Sequence, residues 1–207
     1  MKIFALLVGI MLMFNCALPV LAEAEQTPAP EATEDVLAQP SSTTLVAYFS
    51  CTGNTEAVAQ LIAEALSADV YRIEPEVPYA SEDLNYNDDN SRANQEMNDP
   101  DCRPAIAGEP LTFMDSYQTI YLGYPIWWGE APRIISTFLE SYDLNGKTIV
   151  PFCTSGGSGF GQSGELLSEL TADDVNWVEG KRFSASATAD DIAQWLDEMG
   201  VLPVDAQ

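Results

Sequence analysis

The 207-residue chain carries eight Lys and Arg against 32 Asp and Glu, has no His, and is 46% apolar, enough to fill the core of one sizeable domain. Its net charge of −24 repels a nucleic-acid backbone and an anionic bilayer surface alike. Without imidazole there is no Ser–His or Cys–His nucleophile pair, and the usual zinc ligand is missing.

Phe4 to Leu21 form an apolar run behind Lys2, and Ala22 offers a small residue at a cleavage position. This is the pattern of a secretory signal peptide cut after Ala22. A retained membrane anchor is the lesser alternative, because Asn15 and Pro19 interrupt a run already short for a bilayer span. A lipid anchor at Cys16 is another, although the bulky Asn15 fits its cut site poorly. The expectation is an exported protein of the cell envelope or the extracellular space, with no integral span after cleavage and a mature charge of −25. Residues 23–43 are rich in Ala, Pro, Glu and Thr, lack apolar periodicity and carry no basic residue, so they read as a disordered acidic linker. Cys51, Cys102 and Cys153 then remain, an odd number that leaves at least one free thiol or an intermolecular bridge.

From Thr44 the chain alternates strand and helix to about residue 203. Thr44 to Ser50 is a short continuous apolar run, as in a central parallel strand covered on both faces. Asn54 to Ser67 follows as a helix with Val58, Leu61, Ile62, Ala65 and Leu66 on one face. Asp69 to Ile73 reads as a second strand. Glu74 to Cys102, with nine acidic residues and one Arg, is either a long excursion over the active edge or a solvated loop with a weak helix; the excursion is the reading taken. Ser116 to Gly123 reads as a third strand and Pro132 to Glu140 as a helix. Lys147 to Cys153 is a fourth strand in which Pro151, having no N–H, predicts a gap or an end. Ser163 to Leu170 is a further helical stretch, Val175 to Val178 a fifth strand, and Ala189 to Met199 a closing helix stopped by Gly200. Such alternation implies one doubly wound α/β domain, whose ligands bind at the carboxyl ends of the strands.

Three loops after three strands carry the chemistry. Ser50-Cys51-Thr52-Gly53-Asn54-Thr55 sets three hydroxyls, a glycine and a helix N-terminus within six residues, a cradle for one anion. It has no Lys, which disfavours a nucleoside triphosphate. A phosphatase loop on Cys51 would need an Arg about six residues on, where Ala57 stands, so a phosphate monoester fits best. The plain alternative is a capping turn. The second loop, Gly123-Tyr124-Pro125-Ile126-Trp127-Trp128-Gly129-Glu130-Ala131-Pro132, holds adjacent tryptophans that point opposite ways if extended, one packed inward and one facing a planar ligand. The plain alternative is one buried anchor and one surface Trp. The third, Thr154-Ser155-Gly156-Gly157-Ser158-Gly159-Phe160-Gly161, lets backbone N–H groups approach a heterocycle, unless it is merely a flexible linker. Gly159 to Gly164 also fits the dinucleotide fingerprint formally, but it starts too far past its strand and too late in the fold.

Together these motifs resemble the flavodoxin-like proteins of bacteria, from about Thr44 to Met199. The resemblance implies a five-stranded parallel sheet of order 2-1-3-4-5 with helices on both faces. It implies non-covalently bound FMN, with its phosphate in Ser50–Thr55 and its isoalloxazine between or beside the second and third loops. A backbone N–H or carbonyl near Gly129 or Gly156 is then the expected partner of the ring's reactive edge. No catalytic residue and no metal ligand is assigned. The acidic segment and the export signal both depart from the family pattern. Strand three would lie between Cys51 and Cys153, setting them about 10 Å apart, beyond the roughly 7 Å reach of a disulfide. Cys51 is read as a loop spacer.

The implied function is electron transfer, exchanged with a redox partner protein or a small-molecule acceptor. The alternatives are an FMN-dependent quinone or small-acceptor reductase and a non-catalytic envelope module. Monomer and homodimer are both left open.

Overall fold

The computed structural model describes residues 40–201. The signal-peptide segment 1–22, the linker up to residue 39 and residues 202–207 lie outside the described residues. Thr44–Tyr48 (β1) is buried over nearly its whole length and pairs in parallel with Asp69–Arg72 (β2) on one side and Thr119–Pro125 (β3) on the other. Thr148–Thr154 (β4) continues the sheet beyond β3. Two short strands, Asn176–Trp177 (β5) and Lys181–Phe183 (β6), share the outer edge of β4. The order is β2-β1-β3-β4-β5, as the resemblance implies, with β6 as an addition.

The divided edge has its cause in Pro151. The Ile149 carbonyl accepts from the Val178 N–H at 2.9 Å, so every second residue of β4 faces that edge, and Pro151 turns its donorless nitrogen the same way. Pairing runs unbroken to β3 through Leu122 and Pro151, but on the other side it jumps from Ile149–Trp177 to Phe152–Lys181. The predicted gap is therefore real, and it cuts one ladder only. The expected fifth strand, Val175 to Val178, is shorter than its sequence suggests and resumes as β6 after Gly180. The third strand starts at Thr119 rather than Ser116 because Met114–Ser116 closes a 3₁₀ turn.

Alternation along the strands feeds two cores. Val46, Tyr48, Tyr121, Val150 and Phe152 face Asn54–Leu66 (α1) and Ala189–Glu198 (α5), whose Val58, Ile62, Ile192, Trp195 and Leu196 complete that layer. Leu45, Ala47, Phe49, Ile120, Leu122 and Ile149 face Arg133–Glu140 (α3), with Ile134, Ile135, Phe138 and Leu139 of that helix buried. Arg92–Asn98 (α2) and Ser163–Ser168 (α4) add Ala93, Met97 and Leu167 to this second core. The segment from Glu74 is thus an excursion with a packed helix, capped by the Ser91 hydroxyl on the Asn94 N–H. Thr188 and Asp191 form a reciprocal capping box at α5.

Asp69 fastens the start of the domain. Its carboxylate accepts from the Ser41 and Ser42 N–H groups at 3.0 and 3.2 Å, from the Ser41 hydroxyl, and from the Tyr117 hydroxyl at 3.1 Å. Partial burial pushes its carboxyl upward, but these donors prevail and hold it below the ordinary value. A depressed folded-state value contributes stability above the unfolded value near 4, and that contribution is lost as pH falls through the folded one. Asp69→Asn is expected to lower the melting midpoint at pH 7 by about 3 °C and to flatten its fall below pH 4; equal acid curves for variant and parent would refute the anchoring role.

Candidate functional site

At the carboxyl ends of β1, β3 and β4 the chain encloses a cleft of about 350 Å³. The first loop supplies one half of it, through Ser50, Cys51, Thr52, Asn54 and Thr55. Gly53 begins α1 in the left-handed conformation, and the helix has no side-chain cap. The N-terminal turn of α1 therefore keeps its donors and the positive end of its dipole turned to the loop. The Ser50 Oγ accepts from the Gly53 N–H at 3.1 Å and the Thr52 Oγ1 from Asn54 Nδ2 at 3.2 Å, so both hydroxyls retain a proton to donate. The Thr55 and Thr154 hydroxyls pair at 2.8 Å and tie the first loop to the third. No Lys or Arg is among the lining residues.

The surroundings of Cys51 disfavour its thiolate. Burial pushes its thiol up to about 12, against the pull of Arg92 and Arg72. Cys51, Cys102 and Cys153 are all free, and burial likewise drives Cys153 to about 12.

The second half of the cleft is apolar. Pro125, Ile126 and Trp127 line it, with Thr154, Ser155 and Gly156 of the third loop beside them. Trp127 is 3% exposed and sits edge-on to Phe49 at 5.7 Å and to Tyr79 at 5.4 Å. Trp128 is 61% exposed and does not line the cleft. The pair divides into one buried ring and one surface ring outside the cleft, the plain alternative, and a turn rather than an extended segment separates them. Trp127 and Glu130 exchange both backbone hydrogen bonds at 2.9 Å around Trp128 and Gly129, whose φ values are 52° and 85°. This is the mirror-image hairpin turn that glycine suits and tryptophan does not, costing about 1 kcal/mol at Trp128. The Trp128 Nε1–H donates to Asn94 Oδ1 at 2.7 Å, which holds the strained residue in place.

Of the residues expected to hold the cofactor, Gly53, Gly129, Gly157, Ser158 and Gly159, like Trp128, do not line the cleft. The Ser155 hydroxyl donates to the Ser158 carbonyl, folding the third loop back on itself, and Arg182 Nη2–H donates to the Ser155 carbonyl at 2.7 Å. Two of the dinucleotide-like glycines, Gly161 and Gly164, sit where a Cβ would crowd a neighbour. A Cβ on Gly161, at φ 63°, would lie 2.7 Å from the Gly129 carbonyl oxygen, so this glycine lets the second and third loops touch.

Three lining residues were not expected: Leu84, Tyr86 and Ala185. Leu84 and Tyr86 come from the acidic excursion, where neighbouring Asn and Asp conceal them. Ala185 follows β6, a three-residue strand too short to show periodicity. The excursion is fastened by polar contacts, most of them partly buried. Tyr79 donates to Glu96 at 2.6 Å, Arg92 pairs with Glu96 at 2.6 Å and lies 3.9 Å over the Tyr79 ring, and Arg133 donates to the Met97 and Asp99 carbonyls.

A family model described as flavodoxin matches residues 43–199. The chain belongs to the flavodoxin family. Its structure is similar to that of a candidate flavoprotein from Bacteroides eggerthii, at 46% identity and a TM-score of 0.71 over 76% of this chain and 98% of that one. A second candidate flavoprotein, from Bacteroides uniformis, matches at 42% identity and 0.68 over 74% and 97%. A flavoprotein from Lactobacillus acidophilus, solved in complex with FMN, shares the fold at 24% identity and 0.53 over 67% and 91%. No functionally curated protein matches the chain. As a flavodoxin it keeps its cleft at the strand ends between β1 and β3, where the strand order reverses.

Proposed function

We propose that this flavodoxin binds FMN without a covalent link and passes electrons between partners. The observation that carries this reading is the joining of two unlike half-sites in one cleft. One is a cation-free set of hydroxyls at an uncapped helix N-terminus, and the other is an apolar wall of Pro125, Ile126 and Trp127. The first suits a single phosphate monoester and the second a flat heterocycle. The fit is supported at Gly156, where a Cβ would meet no protein atom within 4 Å although the residue lines the cleft. The Lactobacillus relative's complex with FMN agrees with it.

When bound, the flavin supplies one- and two-electron chemistry of its own. The chain's contribution is to hold and to bias. Ser50, Thr52 and the first turn of α1 donate to the phosphate, and the Thr55–Thr154 pair keeps the two loops in register. The apolar wall and the acidic surroundings disfavour added negative charge on the ring. The lower one-electron couple is therefore expected to lie negative of free FMN; a redox titration giving an unshifted couple would remove this part of the reading.

A second reading, reduction of a quinone or a similar small acceptor, draws support from Leu84 and Tyr86, which add a wall to the cleft. Steady-state oxidation of NAD(P)H with a quinone separates the two, since a pure carrier gives no turnover. We also place the protein outside the cytoplasm, tethered or released by its linker, with an acidic face suited to a basic partner. The central test is simple. The purified protein should be yellow and release FMN on denaturation, and an apoprotein that takes up no added FMN would overturn the proposal.

A further inference from the structure

Resting on the FMN reading above, we propose that Tyr86, held through Asn94 to Trp128, forms the aromatic wall over one face of the flavin ring, which makes the acidic excursion between β2 and β3 part of the cofactor site. Neither of the motif tryptophans fills that role alone. Trp127 is 3% exposed and packs in T-shaped pairs with Phe49 and Tyr79, and Trp128 lies outside the cleft lining. Tyr86 lines the cleft, is 45% exposed, and stands edge-on to Trp128 at 5.8 Å. Leu84 continues the same wall. Tyr86 and Trp127 both line the cleft that the first-loop hydroxyls also line, so a planar ring held there shares its lining with both aromatic side chains.

Asn94 holds this corner together. It is 3% exposed, and both ends of its amide are used. Its Oδ1 accepts from Trp128 Nε1–H at 2.7 Å, while its Nδ2–H donates to the Asp88 and Tyr86 carbonyls at 2.7 and 3.3 Å. An indole N–H only donates and a carbonyl only accepts, so the amide has a single orientation that serves all three. One side chain thereby joins the strained turn of the second loop to the backbone of Tyr86. Tyr86 is the residue that contacts the ring, and Asn94 is a positioning residue.

The test titrates apoprotein with FMN and with riboflavin, reading affinity and the residual fluorescence of bound flavin. Tyr86→Ala is expected to weaken both ligands by the same factor, about 3- to 10-fold, and to raise bound-flavin fluorescence, because an aromatic ring in contact quenches it. Tyr86→Phe keeps the ring and stays within about twofold of the parent. Trp128→Phe removes only the indole donor from an exposed position and is expected to raise bound-flavin fluorescence while Tyr86 is intact. Parental affinity and fluorescence in Tyr86→Ala would overturn the proposal, and so would a loss confined to FMN, which would place the effect at the phosphate. Parental fluorescence in Trp128→Phe would overturn the Asn94 link. Failure of the parent protein itself to bind FMN would instead overturn the cofactor reading.

Discussion

Thr52→Asp is expected to weaken FMN binding at least about 100-fold while leaving riboflavin binding unchanged. Thr52 is exposed on the first loop and lines the cleft beside the α1 N-terminus. A carboxylate there, about 5 Å from a phosphate, costs about 3 kcal/mol per unit of phosphate charge at an effective dielectric near 20. The loop has no cation to offset it, since its donors are hydroxyls and backbone N–H groups. The same charge is favoured by the helix dipole in the empty protein, by about 0.5 kcal/mol. The apoprotein should therefore melt no lower than the parent while its FMN affinity collapses. Thr52→Asn, similar in size but neutral, should retain FMN within a few-fold. Calorimetric titration of the three proteins with both flavins checks this; equal FMN affinity in Thr52→Asp would mean that the phosphate lies elsewhere.

Gly123→Ala is expected to destabilise the domain by about 3 kcal/mol, lowering the melting midpoint by about 6–12 °C. Gly123 lies in the middle of β3, directly opposite Phe152 of β4. A Cβ at this position would come under 3.0 Å from three carbons of the Phe152 ring. Phe152 is itself fully buried between the sheet and its helices, so the ring has nowhere to retreat. The double variant Gly123→Ala with Phe152→Leu frees the space and should recover more than half of the loss. Thermal unfolding of the single and double variants decides it; a single variant that melts within 1 °C of the parent would show that the ring moves freely. Because β3 delivers Pro125, Ile126 and Trp127 to the cleft, the single variant should also bind flavin more weakly.

Much of the fold and of the candidate site was legible from local signals. The apolar run at Thr44, the helical spacing of Val58 and Ile62, and the hydroxyl-rich turn after β1 each declare themselves within a dozen residues. Even Pro151 foretold a broken ladder, because a missing N–H is a property of one residue. β6 was not legible. Three residues cannot show a period, and Lys181-Arg182-Phe183 become a strand only because the edge of β4 beyond Pro151 is open to them. Tyr86 was hidden for a related reason. Its neighbours Asn85, Asn87, Asp88 and Asp89 look like solvated loop, and its place in the cleft depends on Asn94, eight residues on.

The sequence by itself determined the alternation of strand and helix, the placing of a hydroxyl-rich, an aromatic and a glycine-rich loop at strand ends, and the absence of imidazole chemistry. These rest on the spacing of apolar residues and on what each side chain can donate or accept, and folding does not change either. The tertiary structure decided which tryptophan is buried, how the sheet ends, and that the acidic excursion forms a wall of the cleft. Those outcomes depend on contacts between residues far apart in the chain, such as Trp128 with Asn94 and Thr55 with Thr154, whose partners are chosen only when the strands are side by side.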